Sequence, residues 1–177
     1  MMDLLNRRAP SSAHMPAQAA APAAGTPGDD WAQLWFAVQQ QQQPQPGQMM
    51  VPQPWSTLVL VPAVPGVSSR AAAQQLVQAA RLYESRPVEL VDACGATPGA
   101  VGQLVADVAE RVAAGAWVIV AVDSPLANRA AIPISTAADA ALLVVPLGAS
   151  TFGAARDTIG TIGRHRFVGS VAVQAGR

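Results

Sequence analysis

Thr57-Leu58-Val59-Leu60-Val61-Pro62-Ala63-Val64-Pro65-Gly66-Val67-Ser68-Ser69-Arg70 is the stretch that decides the fold. An apolar, β-branched run ends in a Pro-Gly turn and opens into an Ala/Gln-rich segment of helical composition. Many α/β proteins hold a phosphate with this order of strand, tight loop and helix N-terminus, because the free N–H groups and the dipole of the helix attract an anion. The usual chemistry is missing here. A phosphate loop of the form G-x-x-x-x-G-K-[ST] carries a lysine for the phosphates and a hydroxyl for Mg²⁺. In this chain Gly66 remains, no lysine follows, and Ser68, Ser69 and Arg70 fill the critical positions.

Downstream, apolar runs alternate with helical patterns. Strands are expected at 56–61, 88–91, 117–122, 140–145 and 167–173, and helices at 68–85, 98–114, 128–138 and 150–164. Near-continuous β-branched strands separated by helices predict a mostly parallel five-stranded sheet covered on both faces, a three-layer α/β/α domain over 55–177.

Upstream, residues 1–30 are rich in Ala, Pro, Ser and Gly and predict a disordered tail. Residues 31–43 predict an amphipathic helix capped by Asp29 or Asp30. Trp31, Leu34, Trp35 and Val38 fall on one face at i, i+3, i+4 and i+7. Two readings fit that helix. It packs on its own domain, or it docks into a groove on a partner through Trp31, Leu34, Trp35, Phe36 and Val38. Residues 44–54 form a Pro/Gln-rich linker.

Composition excludes several classes. The 177 residues carry zero formal net charge and only 12% charged side chains, so there is no basic field to hold nucleic acid. The single cysteine, Cys94, excludes a disulfide framework and reads as a small buried hydrophobe. His14 and His165 are far apart in sequence and do not suggest a metal or catalytic pair. No apolar run reaches the roughly 18–20 residues that span a bilayer, and the start does not read as a cleaved signal peptide, so a cytoplasmic location is expected.

Three loops follow strand C-terminal ends, where open parallel sheets place their sites: Pro65–Arg70, Asp92-Ala93-Cys94-Gly95 and Asp123-Ser124-Pro125. An aspartate directly after a strand holds Mg²⁺ or orients an attacking group in phosphoryl transfer, or simply caps the next helix or closes a turn. The pattern leaves both readings open.

Taken together, Pro65-Gly66, Val88–Asp92, Val118–Pro125, Ala138–Val145 and Val168–Val173 resemble the cytoplasmic domain of the bacterial tyrosine kinases that control capsule and exopolysaccharide export. That domain belongs to the class of partition and septum-site ATPases. The resemblance covers roughly 55–173 and implies a P-loop NTPase-like fold. Asp92 and Asp123 match the family's two aspartates, Asp139 its aspartate before a hydrophobic strand, and Gly169 its closing strand.

The departures are as informative. Where the family loop reads P-G-E-G-K-S, this chain reads Pro65-Gly66-Val67-Ser68-Ser69-Arg70, without the second glycine, the lysine or the Mg²⁺ hydroxyl. Tyr83, the single tyrosine, lies within a helix rather than in a tail cluster. The resemblance thus implies a vestigial nucleotide site at Gly66, Ser68, Ser69, Arg70, Asp92 and Asp123. It implies no catalytic residue, no metal and no cofactor, and a pseudo-ATPase that scaffolds or regulates a surface-polysaccharide synthesis and secretion machine. Its partners are then export or synthase components, which place it peripherally at the inner membrane, and it forms a homo-oligomer or joins an active ATPase. The alternative is a weak ATPase of the partition type that binds ATP and Mg²⁺ and acts in polar positioning.

Overall fold

The computed structural model describes residues 27–41 and 55–174. The readings of a disordered tail before Pro27, of the linker at 44–54 and of the last residues fall outside that range.

The elements run in order α1 (Pro27–Gln40), β1 (Thr57–Pro62), α2 (Arg70–Tyr83), β2 (Val88–Asp92), a short 3₁₀ turn (Pro98–Ala100), α3 (Val101–Ala113), β3 (Trp117–Ala121), α4 (Ala131–Ala137), β4 (Ala140–Leu147), α5 (Phe152–Ile162), a second 3₁₀ turn (Arg164–Arg166) and β5 (Phe167–Gln174). The five strands form one sheet in the order β2-β3-β1-β4-β5, and every pairing is parallel. All six side chains of β1 are buried, which explains why its sequence shows no polar alternation.

Alternation along β1 sorts the core into two layers. Leu58 and Leu60 join the cluster formed with α1 and α2. Val59 and Val61 join the cluster formed with α3, α4 and Ile162 of α5. This division follows from connectivity, since α2 carries the chain toward one edge of the sheet while α3, α4 and α5 all carry it back the other way. With crossovers of one hand, opposite directions of travel put helices on opposite faces.

At the base of the sheet one carboxylate holds β1 in place. Oδ2 of Asp139, in the turn before β4, accepts from the N–H groups of Ser56 and Thr57 and from the Thr57 hydroxyl, at 2.9, 3.0 and 2.9 Å. The aspartate that matched the family's pre-strand position is therefore a structural latch.

Helix α1 differs from the expectation in two respects. It begins at Pro27, so Asp29 and Asp30 lie within its first turn and do not cap it; proline at the first helical position is the start signal instead. Second, it packs on its own domain. Trp35 is 0% exposed and Val38 is buried beside it. The Trp35 ring meets Trp55 and Trp117 edge-to-face, at centroid distances of 6.0 and 5.8 Å. Its indole N–H donates to Glu84 Oε1 at 3.0 Å, and Gln39 donates to the same oxygen at 3.2 Å. Trp35 and Val38 are thus withdrawn from the expected docking face. Trp31 and Leu34 rest partly buried against the same cluster, and Phe36 stays 46% exposed against Tyr83.

Removing the buried indole leaves a large cavity and takes one of its two donors from Glu84, so Trp35→Ala is expected to lower unfolding free energy by about 3–5 kcal/mol. Urea denaturation followed by circular dichroism measures this. A loss below about 1 kcal/mol, the size of a typical surface change, would mean that α1 does not belong to the core.

Candidate functional site

In an open parallel sheet, ligands sit in the crevice between neighbouring strands whose connections depart in opposite directions. Here those strands are β1 and β3. The loops after β1, β2 and β3 all open at this end, so the topology brings together Gly66, Ser68, Ser69 and Arg70 with Asp92 and Asp123, as the sequence led one to expect.

The crevice is stitched shut by backbone and by Ser69. Ser68, in the loop after β1, forms an isolated antiparallel bridge with Asp123, after β3. Ser69 is 0% exposed. Its hydroxyl donates to the carbonyl of Val122 at 2.8 Å and accepts from the Val122 N–H at 2.9 Å. The residue at the family's lysine position therefore points into the protein and ties the loop to the end of β3. Pro65-Gly66 makes the preceding turn. Gly66 adopts φ +77°, a left-handed conformation that favours glycine.

Next to the clasp lies a polar cluster whose members satisfy one another. Ser68 Oγ accepts from the Arg70 N–H at 3.1 Å and lies 3.3 Å from the Cys94 sulfur. The Arg70 guanidinium pairs with the Asp92 carboxylate. Asp92 Oδ1 also accepts from the Cys94 N–H at 3.1 Å. Asp123 Oδ2 accepts from the Gly95 N–H at 2.7 Å and from Asn128 Nδ2 at 3.1 Å. Asn128 further donates to the Ala96 carbonyl, and its own oxygen accepts from the Ala130 N–H. Each aspartate thus closes turns and pairs internally, the plainer of the two readings open at the sequence level.

These residues do not fit the phosphates and Mg²⁺ of a nucleotide. The Arg70 N–H at the start of α2 is already taken by Ser68, and the cation of the cluster is paired with Asp92. Asp123 leaves the local balance negative, which repels an anion. No lysine can be recruited from elsewhere, because all 11 basic residues of the chain are arginines. Nor do the described residues contain any group of three or more His, Cys, Asp and Glu side chains able to hold a metal.

Asn128 is the member that sequence reasoning did not place, whereas Cys94 was placed in the second loop and read as a buried hydrophobe. Cys94 is partly exposed rather than a fully buried hydrophobe. Burial pushes its thiol above the usual range; the Ser68 hydroxyl opposes the shift, and the carboxylates of Asp92 and Asp123 add to it. Asn128 has a local signal, since an asparagine just before a helix commonly bonds its own backbone two residues on. No protein-family model matches this chain, and no curated protein matches it.

Two measurements probe the site. Ser69→Ala leaves the Val122 N–H and carbonyl without their partner, at an expected cost of about 1–3 kcal/mol in denaturant unfolding. A raised thiol pKa means less thiolate at pH 8, so Cys94 should react with iodoacetamide more slowly in the folded chain than in the unfolded one. Asp92→Asn removes a nearby negative charge and should speed that reaction. An unchanged rate would show that Asp92 does not act on the thiol.

Proposed function

We propose that this chain is a non-catalytic pseudo-ATPase that works by binding other proteins, as a scaffold or regulator of a bacterial surface-polysaccharide synthesis and secretion machine. The observation that carries the first half is the Ser69 clasp. A residue that would have to reach outward to a phosphate is instead buried and bonded in both directions to Val122. The paired Arg70–Asp92 and the internally bonded Asp123 support the same reading, because freeing either aspartate for a metal would dismantle the turns it holds.

The polysaccharide assignment rests on the motif order shared with the export kinases, and so do the partners, export or synthase components at the inner membrane. No helix among the described residues is long and apolar enough to cross a membrane. Attachment there would accordingly run through a partner. The exposed side of the α1–α2 pair offers a surface for this, with Phe36 stacked edge-on to Tyr83 at 4.8 Å and Leu82 exposed one residue away.

Titration calorimetry with Mg-ATP should give no binding heat at millimolar nucleotide. Micromolar binding that Asp123→Ala abolishes would overturn the pseudo-ATPase reading in favour of a working nucleotide site. In cells, a fluorescently tagged chain should co-localise with the envelope polysaccharide machinery. A focus that tracks the chromosome would instead identify a positioning protein.

A further inference from the structure

The two faces of the sheet are packed unequally. On the α2 face, Leu76, Val77 and four alanines of the helix are buried. On the other face no residue of α3 is fully buried, although the helix presents a continuous aliphatic stripe of Leu104, Val105, Val108 and Val112. Between that stripe, the sheet and α4 lies a half-open cavity of about 330 Å³. Val91 and Val120 of β2 and β3 form its floor, and Ile134 of α4 forms its far wall. Its only polar lining residues are Thr57 and Asp139, at the base of the sheet.

We infer that this cavity is a binding site for a small amphiphile, with an aliphatic body under α3 and a hydrogen-bond donor, a hydroxyl or ammonium, at the Asp139 end. An apolar cavity of about 150 Å³ stays dry and takes one benzene; this one has about twice that volume, which suits a chain of roughly eight to ten carbons. All the apolar lining residues are aliphatic, which suits a thin, flexible hydrocarbon.

The polar end sets the head group. All three donors that hold Asp139 in place reach the same oxygen, Oδ2. The other carboxylate oxygen carries no bond among the described residues, and the side chain is exposed. An acceptor in that position selects a donor and repels a second carboxylate, so the site discriminates against fatty acids. The donor-selecting end of the cavity, at Thr57 and Asp139, lies at the opposite end of the strands from Ser69, while Ala93 brings its other end next to the loop of Asp92 and Cys94.

The test uses the full chain with 1-octylamine, 1-octanol and octanoate as probes, followed by methyl NMR of the Val, Leu and Ile side chains. Octylamine and octanol should shift the resonances of Leu104, Val108 and Ile134, and octylamine should bind at least about tenfold more tightly than octanoate. Val108→Phe fills the cavity and should abolish the shifts while leaving the circular dichroism spectrum intact. Should that variant not fold, Ala109→Leu fills the same space with a smaller change. Two results would overturn the inference: no probe shifts these methyls at millimolar concentration, or binding survives unchanged in a folded filling variant. Octanoate binding as tightly as octylamine would overturn the role given to Asp139.

Discussion

Strand β1 is the constraint on which the rest of the molecule depends. It is paired on both sides and buried on both faces, so it cannot shift by one residue without moving its whole apolar set to the wrong layer. Both of its ends are fastened by a side chain bonded to distant backbone. Asp139 holds the N-terminal end through Ser56 and Thr57. Ser69, just past the following loop, holds the C-terminal end through Val122. Each bond joins segments far apart in sequence, and the Ser69–Val122 pair is wholly buried, where a hydrogen bond is stronger and its loss costs more.

This arrangement gives the residues of the loop a physical sense. A lysine at position 69 could not occupy the buried site that the serine fills, because an ammonium there would be desolvated without a partner. The serine ties the loop to its neighbour, whereas a loop that wraps an anion must stay open. Once the loop is closed, Asp92 and Asp123 are free to act as turn-closing acceptors, which is how the chain uses them. The burial of Ser69 and the roles of the two aspartates therefore belong together.

Much of the fold was legible because the signals are local. Every strand and helix of the sheet domain falls within a few residues of its expected range, since a β-branched run or an aliphatic 3.6-residue stripe constrains its own backbone. The convergence of Gly66–Arg70, Asp92 and Asp123 was legible too, because parallel topology puts alternate loops at one end. What each residue touches was not. The face of α1 is readable from Trp31, Leu34, Trp35 and Val38, but Trp35 finds Trp55, Trp117 and Glu84, and no periodicity links those positions. The direction of Ser69 depends on Val122, which is 53 residues away. The absence of lysine could have been read from composition alone, and it bears on the nucleotide question more directly than any one loop position.

The unequal faces indicate where such a domain can change its company at least cost. Opening the α1–α2 face would expose three indoles and break the Trp35–Glu84 bond. Lifting α3 exposes its own half-buried aliphatic stripe and the valines of the sheet beneath it but no indole, and the Glu89–Arg111 ion pair that holds it to β2 is exposed and weak. Local opening free energy follows buried contact density, so α3, with no fully buried residue, has less to lose than α2. A ligand beneath it would supply the contacts that the helix lacks and would tighten that face. The well-packed face then acts as a fixed platform, and the response of the domain to binding is concentrated in α3 and its junction with α4.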